Sequence, residues 1–287
     1  MTTVLECIEA GTRYLEKRGV EDARRNMQML VAHRLHCTRT QLYMRFDEAL
    51  EENALSFLRE DLKKRGERVP LQHLLGTVGF HRHEFNIDGR ALIPRPETEE
   101  LIELLLRFLP SPPQLILDMG CGSGIIGLTL AAEWPESQVT LADLSPQALS
   151  LARENAGLLG LDRVLLVESD LFSAISGPFN LIVANLPYVP EADRQSLSPE
   201  VLHDPSMALF GGEDGMELIR KFCDSAKHFL APGGMIAMEI GHDQSEQTED
   251  LLRTAGFVDV ITHRDLSGIA RFPFARMPGS LLVGATA

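Results

Sequence analysis

The sequence predicts an α/β chain: a mostly parallel seven-stranded sheet with helices on both faces, preceded by a small all-helical domain. Three observations carry this reading. From Gln114 onward, short apolar runs alternate with helical stretches. The first run ends in alternating glycines that open a helix. Residues 1–70 hold helical stripes and no strand pattern.

In the first seventy residues, Val4, Leu5, Ile8, Thr12 and Leu15 share one helix face. Ala23, Met27, Leu30 and Val31 form a second stripe, and Leu50, Leu55, Leu58 and Leu62 a third. Gly19 and Gly66 stand where helices should stop. Residues 71–96 change character. Phe80, His83, Phe85 and Ile87, interrupted by Gly79 and Gly89, predict a hairpin in a linker. From residue 97 to 287 the α/β domain is expected. A helix runs from Glu97 to Leu109 and ends at Pro110. Strands are expected at 114–118, 138–142, 164–168, 179–184 and 234–240. Helices are expected at 125–133, 145–158, 214–230 and 243–254. Val258–Ile261 and Leu281–Val283 supply the last two strands.

Composition narrows the function classes. Apolar residues make up 44% of 287, enough for a sizeable core. No run approaches a membrane span, and the acid at Glu6 leaves no basic leader, so neither membrane nor secretory signal is expected. Cys7, Cys37, Cys121 and Cys223 form no CxxC pair. Reduced thiols in a cytoplasmic protein without a metal are expected. His81 and His83 could face one side of a strand, but no third ligand accompanies them. Residues 1–70 carry 13 Lys/Arg against 12 Asp/Glu, whereas 71–287 carry 14 against 29. So acidic a second part repels phosphates, which disfavours nucleic acid as the main substrate. A monomer is expected.

The first chemical signal is Leu115-Ile116-Leu117-Asp118-Met119-Gly120-Cys121-Gly122-Ser123-Gly124. Glycines permit a sharp turn and close ligand approach, and the helix beyond offers unpaired N–H groups. Gly122-x-Gly124-x-x-Gly127 also fits the dinucleotide fingerprint, so a nicotinamide enzyme stays open at this point. Asp118 leans the other way, because its carboxylate would face a pyrophosphate. S-adenosylmethionine has no phosphate and carries cationic groups instead. Asp143, with Leu144 beside it, ends the next strand and can accept both ribose hydroxyls. The helix that follows has a better N-cap in Ser145. Asp170 is placed to accept from an adenine amino group, and Leu171 to pack on the ring.

The second signal is Asn185-Leu186-Pro187-Tyr188 at the end of an apolar strand. An amide nitrogen is a poor nucleophile because its lone pair is delocalised. Two acceptors on its N–H bonds would hold it and enrich it. The Asn185 side-chain oxygen and the Leu186 carbonyl can supply them, with Tyr188 packed on the planar group and Pro187 fixing the turn. A planar amide or amine nitrogen is the expected methyl acceptor. Asn185, Pro187 and Tyr188 are therefore the expected catalytic residues. Arg95, rigid between two prolines, and Glu97 beside it are expected near the cleft. Arg95 would orient loops or pair with an acid such as Glu97. Glu239, at the end of the fifth strand, reads equally well as support for the site or as structure.

These motifs resemble the release factor glutamine methyltransferases, a family of class I methyltransferases. Leu92–Glu99 looks like the segment preceding their catalytic domain, Asp204–Gly215 like their post-catalytic loop, and Asp265–Arg271 like their C-terminal segment. The resemblance spans nearly the whole chain. It implies methyl transfer from S-adenosylmethionine, leaving S-adenosylhomocysteine, to the glutamine amide of the Gly-Gly-Gln motif in peptide chain release factors. It implies donor contacts from Gly120 to Gly124, Asp143, Leu171 and Asn185. It implies a glutamine held by Asn185 to Tyr188, and a helical domain that helps dock the release factor.

Two positions depart from the family pattern. Leu186 replaces the usual proline, and Asn-Leu-Pro-Tyr is typical of rRNA adenine dimethyltransferases. Leu171 stands where some relatives carry an aromatic ring. The rival readings are thus adenine N6 methylation of rRNA, methylation of a ribosomal-protein glutamine, and a donor sensor without catalysis. The acidic second part and the Pro94–Glu99 segment oppose the first. A sensor needs no amide clamp.

Overall fold

The computed structural model describes residues 1–279, in two compact units. The expected strand at Leu281–Val283 lies outside the described residues. The first unit comprises Met1–Val78 with Ser198–His203, and the second Gly79–Leu197 with Asp204 onward.

Five helices build the first unit: α1 (Val4–Glu16), α2 (Ala23–Arg34), α3 (Arg39–Leu42), α4 (Glu52–Gly66) and α5 (Leu71–Leu75). Thr3 and Glu6 close a capping box at the start of α1. The expected stripes meet in one core, where Val4, Ile8, Met27, Leu30 and Leu58 are fully buried. The linker was expected from residue 71, yet α5 packs Leu71, Leu74 and Leu75 on this core. So short a helix, with no side-chain cap, leaves no periodic signal. Ser198–His203 joins the unit through Glu200. Its carboxylate accepts from buried Arg65 at 3.0 Å and from Arg68 at 2.6 and 2.7 Å.

The hairpin of β1 (Thr77–Phe80) and β2 (His83–Asn86) follows, and the chain enters the second unit within β1. Next come α6 (Pro96–Phe108), β3 (Leu115–Met119), α7 (Ile125–Glu133), β4 (Gln138–Asp143), α8 (Pro146–Leu158), β5 (Leu165–Glu168) and β6 (Phe179–Asn185). The short α9 (Ser206–Leu209) and then α10 (Glu217–Ala226) precede β7 (Leu230–Glu239), α11 (Ser245–Thr254), β8 (Val258–Arg264) and β9 (Ala270–Arg276). Pro96 opens α6 at a position where its missing N–H costs nothing.

The seven-stranded sheet has the order β5-β4-β3-β6-β7-β9-β8. Its first five strands are parallel, and β9 runs antiparallel to both β7 and β8. Helices cover both faces, so the central strands read as unbroken apolar runs. Leu181 to Ala184 in β6 are completely buried. Each such leucine or isoleucine stabilises the fold by roughly 2 kcal/mol. Among the described residues the seventh strand is Ala270–Arg276, which the sequence pattern did not mark. Pro273 disguised it, because proline argues against a central strand. The β7 ladder ends at Ala237↔Phe274, and the next bond runs from the Ile240 N–H to the Arg271 carbonyl. Pro273 thus sits where no N–H is needed on that side.

Chain order reverses between β3 and β6, since β4 and β5 lie on one side and β7 on the other. Loops leaving the carboxyl ends of β3 and β6 diverge there and leave a crevice, the usual ligand position in such sheets.

Candidate active site

A cavity of about 320 Å³ occupies this crevice, and every lining residue belongs to the second unit. The glycine loop forms its floor through Gly120, Cys121, Gly122 and Ser123. Gly120 and Gly124 adopt φ values of 71° and 80°, a region costly for other residues. A Cβ at Gly120 would also stand 2.9 Å from the Leu186 side chain. Gly124 itself does not line the cavity; it turns the chain into α7. The loop is anchored from both ends. Gly120 and Cys121 donate to the Ala142 carbonyl at 2.8 and 3.0 Å. The buried Asn155 of α8 donates to the Ser123 carbonyl at 2.9 Å and also bonds both backbone groups of Asn86.

Asp118 corrects the expectation of a donor contact. It is fully buried beneath the loop and does not line the cavity. Its Oδ2 accepts the Gly127 N–H at 2.8 Å, tying β3 to the first turn of α7. Burial pushes its carboxyl up to about 7, against the pull of that hydrogen bond. The acid supports the glycine loop from beneath.

Asp143 and Leu144 line one wall. Asp143 accepts the Gly122 N–H at 2.8 Å and the Ser145 N–H at 2.8 Å. Each oxygen has a further lone pair for a hydroxyl donor. Burial raises its pKa while the backbone N–H groups oppose the shift. Ser145 caps α8 through Ala148, as its position led one to expect. Asp170 and Leu171 line the next wall. Leu171 has φ 45°, strained for a leucine. Ser169 holds it there, donating to the Leu171 carbonyl at 2.6 Å and accepting from Ala174 at 3.0 Å.

Asn185, Leu186 and Pro187 face the same cavity from the end of β6. Tyr188 does not line it. Its backbone carbonyl is taken by Gln244 at 2.9 Å. The phenol is pushed up to about 12 by burial and by the charge of Glu239, with Arg271 and Arg95 opposing. Arg95 and Glu97 also lie outside the cavity lining. Arg95 pairs with Asp204 at 3.4 Å instead of with Glu97. Asp204, buried and raised to about 6 by desolvation, also accepts the Ile93 N–H at 3.4 Å. Both contacts tie the segment before α6 to the loop after Tyr188. That loop carries Gly211 and Gly215, where an added Cβ would collide with the Pro187 and Tyr188 carbonyls.

Sequence reasoning missed three residues of the site. Arg90 lines the cavity while its guanidinium is held by Asp88 and Glu154. Ser169 fixes the Leu171 turn. Thr98 lines the cavity and donates to Glu239 Oε2 at 2.7 Å, while Asn185 Nδ2 donates to Thr98 Oγ1 at 3.4 Å. Only the Pro94–Glu99 motif hinted at Thr98.

Sheet order, glycine loop, wall carboxylate and terminal asparagine together define a class I methyltransferase. Residues 6–76 match the family described as PrmC N-terminal domain, and 99–210 match the methyltransferase small domain. The release factor glutamine methyltransferase of Deinococcus radiodurans is 42% identical over 275 residues, covering 96% of this chain and 98% of its own. That of Geobacter sulfurreducens is 38% identical over 271 residues, covering 94% and 95%. The chain belongs to the release factor glutamine methyltransferase family. A T. thermophilus 16S rRNA N2 G1207 methyltransferase, solved with AdoMet and guanosine, shares the fold alone. Its TM-score is 0.52 at 19% identity, over 70% of this chain and 49% of that one.

Proposed function

We propose that the chain transfers a methyl group from S-adenosylmethionine to the side-chain amide nitrogen of the glutamine in the Gly-Gly-Gln motif of release factors. The observation that carries this is the position of Asn185. Its carboxamide shares one cavity with the glycine loop and Asp143, and its nitrogen is committed to Thr98. The carboxamide oxygen is then the atom left to accept from an incoming amide.

The donor's chemistry fits these walls. Asp143 keeps lone pairs for two ribose hydroxyls, and the cavity supplies carboxylates for cationic groups and no cluster of phosphate-binding cations. The donor brings an electrophilic methyl group on a good leaving group, so this chain needs no strong base. Gly120 to Ser123 bound one side of the donor, with Asp143 and Leu144 at the ribose and Asp170 and Leu171 at the adenine. Asn185 Oδ1 and the Leu186 carbonyl accept hydrogen bonds from the two amide N–H groups, which enriches the nitrogen and fixes its line of approach; as the N–C bond forms the methyl–sulfur bond breaks, and the methylated nitrogen then releases one proton to solvent. Leu186 leaves this second acceptor in place because the group used is backbone.

Kinship with release factor glutamine methyltransferases favours a release factor over the ribosomal-protein and rRNA readings. Incubation with methyl-labelled donor, a release factor, ribosomal proteins and rRNA separates them. Label in the Gly-Gly-Gln peptide is the expected result. Label confined to rRNA or to a ribosomal protein would overturn the reading, and label on nothing would favour a sensor.

A further inference from the structure

The carboxamide of Asn185 has two orientations of nearly equal shape. Only one presents oxygen to a substrate N–H; the other presents N–H to N–H, which repels. Something must select between them. The candidate is a short hydrogen-bonded chain behind Asn185, running across three elements of the second unit.

Glu239 ends β7 beside Asn185, its partner in the β6–β7 register. The carboxylate is buried at 1% exposure. Thr98, in the first turn of α6, is buried at 2% and donates its hydroxyl to Glu239 Oε2 at 2.7 Å. The Thr98 oxygen then accepts from Asn185 Nδ2 at 3.4 Å. An ionised carboxylate only accepts, so the hydroxyl proton is drawn to Glu239 and the Thr98 lone pair faces Asn185. A lone pair at that place selects the nitrogen of the carboxamide and turns its oxygen away from Thr98.

We propose that Glu239 is a positioning residue for methyl transfer: through Thr98 it locks the Asn185 carboxamide with nitrogen inward and oxygen toward the acceptor amide. The chain also polarises the carboxamide, since donating from nitrogen makes the oxygen a stronger acceptor. This role rests on the function proposed above for Asn185, but the orientation itself does not.

The chain should depend on pH. Burial pushes Glu239 up to about 7, with Glu97 adding to the rise, while Thr98, Arg271 and Asn185 pull it down. Tyr188 also faces it. Once protonated, Glu239 donates to Thr98, the threonine hydrogen loses its acceptor, and the grip on Asn185 loosens. The active form is the ionised one, so kcat should rise with pH through about 7.

Four full-length proteins test this: the parent, Thr98→Val, Glu239→Gln and, as the conservative rescue, Thr98→Ser. The 15N-labelled side-chain amide signal of Asn185, assigned by its loss in Asn185→Ala, reads orientation without any substrate. In the parent it should follow a single titration near pH 7. It should shift and stop titrating in Thr98→Val and Glu239→Gln, and return in Thr98→Ser. In methyl-transfer assays, Thr98→Val should lower kcat about tenfold or more, the loss of one hydrogen bond, with donor affinity little changed. Glu239→Gln should flatten the pH limb. An Asn185 signal that neither titrates nor responds to Thr98→Val overturns the proposal, even if glutamine is methylated. A parent that methylates no glutamine defeats the functional reading, while the amide signal still decides the orientation.

Discussion

Asp118 and Gly127 are joined by a 2.8 Å hydrogen bond in which a carboxylate is buried completely under the loop that shapes the cavity. Its other oxygen, Oδ1, takes no hydrogen bond among the described residues. The loop is therefore held by a group that pays in desolvation for one directed contact.

That arrangement gives a pH dependence with a definite sign. The folded-state pKa of Asp118 is raised from 3.8 to about 7, so its contribution is present at low pH and is lost as pH rises toward 7. Between pH 5 and 7 the unfolded chain has released this proton and the folded chain still holds it. The full shift corresponds to roughly 4 kcal/mol. Asp118→Asn keeps an oxygen for Gly127 and cannot ionise. Thermal melts at pH 5 and pH 8 should show a smaller loss of stability for the variant than for the parent. Equal losses would contradict the assignment.

Gly127 makes a separate demand, for space. A Cβ there would collide with Leu141 and crowd the Asp118 carboxylate. Gly127→Ala should destabilise the second unit by about 1–3 kcal/mol, as overpacking does. Chemical denaturation measures this directly, and a stability equal to the parent's would show that α7 shifts freely.

Asp143 is the test of the donor wall. Its oxygens already hold Gly122 and Ser145, so Asp143→Asn disturbs the loop as well as the expected ribose contacts. Calorimetry should find donor affinity lowered about tenfold or more, the loss expected for a hydrogen bond to a charged group. Unchanged affinity would place the ribose elsewhere.

How much of this was legible in the sequence follows from how local each signal is. The glycine loop, Asp143 and Asn185 lie at strand ends, and a strand followed by a turn is written in consecutive residues. The helix at Ile125–Glu133 falls on the expected residues for the same reason. The contacts of Thr98 were not legible because its partners, Asn185 and Glu239, are 87 and 141 residues away. Asp118 was read as a ligand contact because sequence places it beside the glycines but does not tell which side of the sheet end it faces. Strand β9 was hidden by Pro273, whose place beside a gap in the ladder no local pattern announces.

The most direct test of the account is a comparison of the parent with Asn185→Ala, measuring donor affinity and single-turnover methyl transfer to a release factor on the same preparations. Donor affinity within a few-fold of the parent, with the transfer rate lowered at least about a hundredfold, is the expected result for a residue that holds the acceptor amide. A variant that binds donor weakly yet transfers at the parent rate once saturated would contradict it, because Asn185 would then serve the donor alone.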